Sequence, residues 1–342
     1  MNIKNWSETQ RFIKYMNGKT KFTLSKISDE IGFSRQTFHN KLDNLRDRKI
    51  ITNFTININP NIHPINLKYV ILEIKTNPKE PELVEKLLII PQLRMLDGIF
   101  GDFSLVALFI FKSSEEYYQI LNTIDTIMAK SYFKKYQIIE TIRVFKTNGI
   151  SLRNSILSTE GELVDHLDKF NKNRKKESNL KNIYGLDDMD YRILTILQDC
   201  QGLKPISTYD IKNIFYKRFK LEVSQSTIHN RIKNLEQQRV ILSYTVNFNP
   251  KKVGFKGKYL LRIKPKDPSK YNELAIRLEA NMNITYLFRI GEEYGLFAIV
   301  RVKKIEDYGD FIRELYLTEE IEDTYTNFVL DELKSNTNFI IF

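Results

Sequence analysis

The sequence predicts an α+β fold in which one order of elements occurs twice. The segment FSRQTFHNKLDNLRDRKIITNFTININP (33–60) aligns without a gap with VSQSTIHNRIKNLEQQRVILSYTVNFNP (223–250), and 11 of 28 positions are identical. Each copy is followed by the same alternation of short apolar strands and amphipathic helices. A repeat with so long a period indicates two related halves, each about 150 residues long, rather than a solenoid of short units.

Three short helices are expected to open each half. Side-chain oxygens at the start of an apolar periodic segment are typical helix N-caps, because they accept hydrogen bonds from the first turn. The segments expected to be helical are 7–16, 23–31 and 34–48 in the first half, and 187–199, 207–219 and 224–238 in the second. The candidate N-caps are Ser7, Thr23, Ser34, Ser207 and Ser224.

The third helix of each half has one apolar face. Positions i, i+4 and i+7 hold Phe38, Leu42 and Leu45 in one copy and Ile228, Ile232 and Leu235 in the other. Helical periodicity then predicts that the opposite face is polar and exposed. The side chains expected to point outward are Arg35, Gln36, His39, Asn40 and Asp43, and Gln225, Ser226, His229, Asn230 and Lys233. The pair His-Asn occurs in both copies.

An alternating strand that ends at a proline follows each trio of helices. The order strand–helix–strand–strand–helix–strand comes next, which is the ferredoxin-like pattern. Strands are expected at 68–76, 93–100, 103–112 and 134–146, and at 258–264, 284–290, 294–302 and 322–332. Helices are expected at 81–90, 114–129, 269–280 and 305–316. The polar stretch between the halves reads as a linker with a short helix near 160–171.

The charge of the chain is concentrated on the two repeated segments. The net charge is +11, of which residues 1–60 carry +6 and residues 185–255 carry +4. A polyanionic partner is therefore expected to dock there, because neutralising phosphates releases counterions. Scattered lysines in a basic proteome are the alternative, but they would not localise in this way.

Cysteine content and hydropathy indicate the compartment. The single cysteine, Cys200, cannot form a disulfide within the chain or build a thiolate metal cluster. The first residues lack the apolar core of a signal peptide, and the run FSLVALFIF (103–111) is too short to span a membrane. We therefore expect a cytoplasmic protein with no membrane partner, and read that run as a buried strand.

The motifs LDDMDYRILTIL, SQSTIHNRIKNLEQQRVILSYTVNFNPKKVGF and SRQTFHNKLDNLRDRKIITNF, with the GDFSL turn, resemble the Lrp/AsnC family of transcription regulators. The resemblance implies winged-type helix-turn-helix domains, each followed by a ferredoxin-like (RAM-type) module. On this basis the chain divides into a helix-turn-helix domain 1–60, a module 61–147, a linker 148–184, a second helix-turn-helix domain 185–252 and a second module 253–342. Family members usually carry one such unit, and this chain carries two.

The resemblance also implies contacts to double-stranded DNA from the third helix of each trio. Asn and Gln side chains bond adenine, Arg bonds guanine, and cations bind phosphates. The residues expected to contact DNA are Arg35, Gln36, His39, Asn40, Lys41, Arg46, Arg48, Lys49, Gln225, Ser226, His229, Asn230, Arg231, Lys233 and Arg239. A solvated polar helix face inherited from the duplication is the alternative.

Family members often bind an amino acid at the interface between paired modules. By that resemblance an effector would contact two strand turns, at Gly101, Asp102, Phe103 and Ser104, and at Gly291, Glu292 and Tyr294. A glycine-bearing turn that binds no ligand explains the same residues equally well. Because the two turns differ, a site built from both would be asymmetric.

The predicted function is a sequence-specific transcription regulator, with no catalytic residue, metal or cofactor. The sequence holds no GxGxxG, GxSxG, HExxH or CxxC motif. We expect the two modules to pair within the chain as a pseudo-dimer and to self-associate further, with half-sites about one helical turn apart or a multiple of it.

Two alternatives share the predicted fold. One is an architectural protein that bends or bridges DNA. The other is an enzyme similar to sirohaem decarboxylases, which resemble the same family and sometimes occur as two fused halves. Such an enzyme would need histidines and arginines around a porphyrin, but the four histidines, His39, His63, His166 and His229, lie outside the predicted module sheets.

Overall fold

The computed structural model describes residues 32–58, 68–77, 79–111, 113–146 and 185–335. The expected helices 7–16 and 23–31 with their caps Ser7 and Thr23, most of the linker, and His63 and His166 lie outside the described residues. We call the described part up to residue 146 the first half and residues 185–335 the second half.

The described elements follow the predicted order closely. The first half contains α1 (Arg35–Asp47), β1 (Ile51–Ile58), β2 (Lys68–Ile74), α2 (Pro81–Leu88), β3 (Leu93–Ile99), β4 (Leu105–Phe111), α3 (Ser114–Ala129) and β5 (Tyr136–Lys146). The second half contains α4 (Asp188–Asp199), α5 (Thr208–Ile214), α6 (Gln225–Gln237), β6 (Ile241–Phe248), β7 (Gly257–Pro265), α7 (Tyr271–Glu279), β8 (Ile284–Ile290), β9 (Leu296–Val302), α8 (Glu306–Leu317) and β10 (Ile321–Ser335).

Three of the predicted N-caps are confirmed. Ser34 and Ser224 accept hydrogen bonds from the backbone amides of Thr37 and Thr227, and Ser207 caps α5 in a reciprocal capping box. The helix expected at 207–219 is α-helical only to Ile214 and continues as a π-helical turn, Phe215–Phe219.

The strands of both halves join into one closed eight-stranded sheet. Within each half the strand order is β3–β4–β2–β5 or β8–β9–β7–β10, which is the ferredoxin-like order, and all pairs are antiparallel. The last strand of each module crosses to the other module: β5 pairs with β8, and β10 pairs with both β7 and β3. The two α/β modules therefore pair through continuous strands within the chain.

The strands that follow the helix trios form a separate two-stranded sheet. β1 and β6 run antiparallel, and Thr55 lies opposite Thr245. These two threonines are equivalent positions of the sequence repeat. A position that faces its own equivalent lies on the approximate two-fold axis that relates the halves. Thr55 is buried, and its hydroxyl donates to the carbonyl of Gln198 at 3.0 Å, which ties β1 to α4.

Successive side chains along each strand point alternately to the helices outside the closed sheet and to its interior. In β2, Val70, Leu72 and Ile74 pack against the helices of the first half, whereas Tyr69 and Ile71 face the interior of the closed sheet. The second half is built the same way, so helices cover the outside of the closed sheet and the interior lies between its two halves. Along the described ranges no helix combines the length and apolar character needed to cross a membrane.

Candidate nucleic-acid interface

Helices α1 and α6 bury the apolar stripes that the sequence predicts. Phe38, Leu42 and Leu45 are buried in α1. In α6, Ile228 and Leu235 are buried and Ile232 is partly buried against the same core. Because each helix is fixed by this face, its opposite face is directed to solvent.

Most of the side chains predicted to contact DNA are exposed, on these faces or just beyond the C-terminal ends of the two helices. Those that are exposed are Arg35, Gln36, His39, Asn40, Arg48 and Lys49 in the first half, and Gln225, Ser226, His229, Asn230, Lys233 and Arg239 in the second. The recurring His-Asn pair is exposed in both copies. Donors, acceptors and cations on one exposed helix face are the groups that base edges and phosphates require. Contact with DNA stays a prediction for each of them.

The two His-Asn pairs have different neighbours one turn earlier. In α1, Gln36 Nε2 donates a 2.9 Å hydrogen bond to Asn40 Oδ1, which holds the Asn40 amide in one orientation. In α6 the equivalent of Gln36 is Ser226, whose hydroxyl lies 2.8 Å from that of the cap Ser224. Among the described contacts none holds the side chain of Asn230 in this way. The two faces therefore share a central pair and differ in how that pair is oriented.

Three of the predicted cations are partly buried in contacts within their own domains. Lys41 lies over the Phe33 ring, with Nζ 5.1 Å from the centroid, and Arg46 pairs with Asp43 at 2.8 Å. Arg231 pairs with the first turn of α4, where its Nη1 atom lies 2.7 Å from Asp187 and 2.8 Å from Asp190. The structure thus places Arg231 as a link between α6 and α4, a role that helical periodicity did not reveal.

Lys49 and Arg239 are equivalent positions, each two residues after the end of α1 or α6. Both adopt left-handed backbone angles, with φ of 53° and 57°. The next amide in each copy, that of Ile50 or Val240, bonds the carbonyl of Leu45 or Leu235 and closes the helix end. Glycine usually occupies this position because a Cβ is strained there. Each copy therefore has one cation, Lys49 or Arg239, at a position where a residue with a Cβ is strained.

A cleft of about 500 Å³ adjoins α6 on the side of His229. It lies between α4, α5 and α6, and its polar lining includes Gln201, Lys233 and Glu236. Gln201 is buried and bridges the carbonyl of Leu197 and the amide of Ile206. The cleft therefore has a fixed wall where α4 ends.

The first candidate effector turn is held by its own half and by β10. Ser104 Oγ donates to the Thr76 carbonyl at 3.3 Å, and Lys135 lies over the Phe103 ring with Nζ 5.0 Å from the centroid. Gly101 has a φ of +148°, and a Cβ added there would lie 3.3 Å from the Asn327 amide of the other half. Asp102 is exposed.

In the second candidate effector turn, the carboxylate of Glu292 is paired with the guanidinium of Arg262. Glu292 accepts a hydrogen bond from Nε of Arg262, and Arg262 Nη2 also lies 2.7 Å from Glu73 of the first half. Burial raises the pKa of Glu292, and the positive charge of Arg262 opposes that rise. Gly291 donates its amide to the Glu140 carbonyl at 3.0 Å, and the Tyr294 hydroxyl donates to Asp323 at 2.8 Å.

Known proteins share the architecture of the whole chain. A crystal structure of the siroheme decarboxylase NirDL superposes with a TM-score of 0.59, covering 98% of this chain and 94% of that chain, at 11% sequence identity. At such low identity the similarity concerns the fold alone. It extends over both halves.

Sequence comparison identifies the family. Residues 259–339 match the Lrp/AsnC ligand binding domain. The HTH-type transcriptional regulator FL11 of Pyrococcus furiosus is 32% identical over 152 residues, which cover 44% of this chain and 94% of that protein. An HTH-type transcriptional regulator of Methanocaldococcus jannaschii is 29% identical over 157 residues, or 46% of this chain and 99% of that protein. This chain therefore belongs to the Lrp/AsnC family of transcription regulators.

Proposed function

We propose that this protein is a sequence-specific DNA-binding transcription regulator with two Lrp-like units in one chain. The units comprise residues 1–60 with 61–147 and residues 185–252 with 253–342, joined by the linker 148–184. The observation that carries the proposal is the pair of equivalent helices, α1 and α6, that expose the same His-Asn pair on a basic surface. The regulators to which the chain is similar support it.

The β1–β6 sheet supports joint use of the two helices. Because Thr55 faces Thr245 across the approximate two-fold axis, α1 and α6 are related by that axis as two half-site readers are in a dimer. The exposed faces differ beside the shared pair, at Gln36 and Ser226. We therefore expect a DNA site whose two halves are related but not identical.

A small-molecule effector such as an amino acid would act on the second turn, which falls within the matched ligand-binding region. A ligand carboxylate at Arg262 would have to displace Glu292. Removing that internal carboxylate with Glu292→Gln should therefore strengthen binding of amino acids. Isothermal titration of wild type and variant with a panel of amino acids tests this. Equal or absent heats in both proteins argue against an effector at this turn.

We further propose that the protein is not an enzyme. A decarboxylase acting on a porphyrin would need free cations for the carboxylates of the ring. In the described part of the closed sheet, the interior cations Lys258, Arg262 and Arg301 are each paired with a carboxylate of the chain. His39 and His229 lie on α1 and α6, away from that interior.

The experiment that tests the regulator is DNA selection from a random pool at two salt concentrations. Wild type is compared with Asn40→Ala, Asn230→Ala and the control Asn122→Ala, which changes an exposed asparagine on α3. Each recognition variant should relax the base preference in one half-site by about 1–3 kcal/mol per position. The control should select the wild-type site.

Two outcomes decide against the proposal. If Asn40→Ala and Asn230→Ala both select the wild-type site, α1 and α6 do not read the bases. If the wild type selects no site but is retained at low salt, the protein is architectural, because binding then rests on phosphates and DNA shape.

A further inference from the structure

Two buried ion pairs join the halves inside the closed sheet. Lys258 Nζ lies 2.6 Å from Asp97 Oδ2, and their side chains are 4% and 0% exposed. Arg262 Nη2 lies 2.7 Å from Glu73 Oε1, with 5% and 7% of the side chains exposed. In both pairs the anion belongs to the first half and the cation to the second. The facing surfaces are therefore complementary in charge.

Glu73 and Arg262 occupy the same position in the two halves. Glu73 lies opposite Val106 in the pairing of β2 with β4, and Arg262 lies opposite Phe297 in the pairing of β7 with β9. Val106 and Phe297 are each the second residue of their strand. This ion pair therefore lies at the approximate two-fold axis, where each half presents the same position to the other.

The Asp97 side of the interior is charged, and its equivalent side is not. Asp97 lies opposite Val106 in the pairing of β3 with β4, and Phe288 lies opposite Phe297 in the pairing of β8 with β9. The second half therefore has Phe288 where the first half has Asp97. A buried carboxylate and a buried aromatic ring demand opposite kinds of partner.

Asp97 and Phe288 contact equivalent positions of the opposite half, and the residues at those positions differ to match: Lys258 contacts Asp97, and Tyr69 contacts Phe288. Lys258 lies opposite Arg301, and Tyr69 lies opposite Ile110, at the sixth position of β9 and of β4. Tyr69 is thus the first-half equivalent of Lys258. Its ring lies 5.9 Å from that of Phe288, centroid to centroid. Lysine meets aspartate on one side of the axis, and tyrosine meets phenylalanine on the other.

Glu332 completes the charged side. Arg301 and Glu332 form a bidentate ion pair, and Glu332 lies opposite Asp97 where β10 meets β3. The equivalent contact, where β5 meets β8, places Val144 opposite Phe288. One side of the interior is a network of four charges, and the equivalent side, which holds Tyr69, Val144 and Phe288, carries no charge.

Pairing of like halves would deprive each of these groups of its partner in the other half. Two first halves would place Glu73 against Glu73 and Asp97 against Tyr69. Two second halves would place Arg262 against Arg262 and Lys258 against Phe288. An unpaired or like-paired charge in a dry interior is strongly destabilising. A chain that dimerises with a copy of itself must place identical residues at such an axial position, whereas this chain does not.

We propose that the interior of the closed sheet is a specificity surface that accepts the other half of this chain and rejects a second copy of the same half. The charges at Glu73, Asp97, Lys258 and Arg262 enforce this choice. The protein therefore always presents one α1 together with one α6, rather than two identical helices. The inference goes beyond the regulator function and does not depend on DNA binding.

Charge reversal in the full chain tests this, because each single reversal reproduces one like-paired contact. Glu73→Arg places an arginine against Arg262, and Arg262→Glu places a glutamate against Glu73. We expect each to lower Tm by about 5 °C or more. The combined reversal restores a complementary pair between the halves but places a glutamate at position 262 beside Glu292, so it should recover part of that loss. Glu85→Arg, on the exposed face of α2, is the control and should leave Tm near that of wild type.

A neutral variant separates pairing specificity from loss of an ordinary ion pair. Glu73→Gln removes the charge without creating a like-charged contact, so its Tm should lie between those of wild type and Glu73→Arg. Equal Tm values for the neutral and the reversed variant would overturn the proposal. So would a combined reversal no more stable than the less stable single variant.

Discussion

Lys146 and Lys334 each cap a helix of the opposite half. Lys146 Nζ donates hydrogen bonds to the carbonyls of Glu279 and Asn281, at 2.7 and 2.8 Å, where α7 ends. Lys334 Nζ donates to the carbonyl of Leu88, the last residue of α2, at 3.3 Å. Carbonyls at a helix C-terminus lack intrahelical partners and carry partial negative charge. Equivalent strands of the two halves thus use the same residue type for a reciprocal cap.

This cap predicts a pH-dependent stability. Burial lowers the pKa of Lys146 from 10.5 to about 8, although the charge of Glu279 opposes the shift. Since the folded state holds this proton less tightly than the unfolded state, the linked stability is complete above pH 10.5 and is lost as pH falls through about 8. The free energy of unfolding of wild type should therefore rise relative to Lys146→Met across that range. Urea titrations measure it, and a constant difference would contradict the assignment.

The ion pair of Glu332 predicts that the protein loses stability at acid pH. Burial opposes its ionisation, but the hydrogen bond from Arg301 and the charge of Lys258 outweigh burial and lower its pKa from 4.5 to about 2. The resulting stability, about 3 kcal/mol, is present above pH 4.5 and lost as pH falls through about 2. Glu332→Gln should flatten acid unfolding over this interval, as followed by circular dichroism. An unchanged acid profile in the variant would exclude an ionised Glu332.

Substitutions of Arg231 and Lys233 should have different effects, one on the free energy of unfolding and the other on DNA affinity. Arg231 is tied to Asp187 and Asp190, so Arg231→Ala should reduce the free energy of unfolding by about 1–2 kcal/mol. Lys233 is exposed on the same helix, so Lys233→Ala should leave stability unchanged and reduce the salt slope of DNA binding by about 1. Urea unfolding and binding across a salt series measure the two effects. A reversed pattern would show that Arg231 serves the phosphates.

Two substitutions of Lys49, which has a left-handed backbone conformation after α1, separate the effect of backbone strain from the effect of charge. Lys49→Gly removes the Cβ that the left-handed backbone disfavours and should stabilise the protein by about 0.5–1 kcal/mol. Lys49→Ala keeps the strain and removes the same charge. Both variants should lose DNA affinity equally if the ammonium group binds phosphate. Unequal losses would assign the position to backbone geometry instead, as shown by affinity measured beside urea unfolding.

Periodicity in the sequence was sufficient to place most elements of the described residues. The segments predicted for β4 and α3 end within two residues of the observed ends, because one buried face determines both the period and the limits of an element. The exposed His39-Asn40 and His229-Asn230 pairs follow from the same argument. The role of Arg231 did not follow, because its partners Asp187 and Asp190 lie more than 40 residues away.

The sequence by itself determined the repeat, the strand and helix order, and the basic outward faces of α1 and α6, since these depend on local spacing and composition. Only the tertiary structure decided what Glu73 and Arg262 do. In isolation each looks like a polar residue in an alternating strand. Strand alternation assigns a side chain to a face of the sheet, but the partner across that face comes from a strand nearly 190 residues away. Closure of the two four-stranded halves into one sheet brings opposite charges to one position of the fold, and so makes the halves complementary rather than identical.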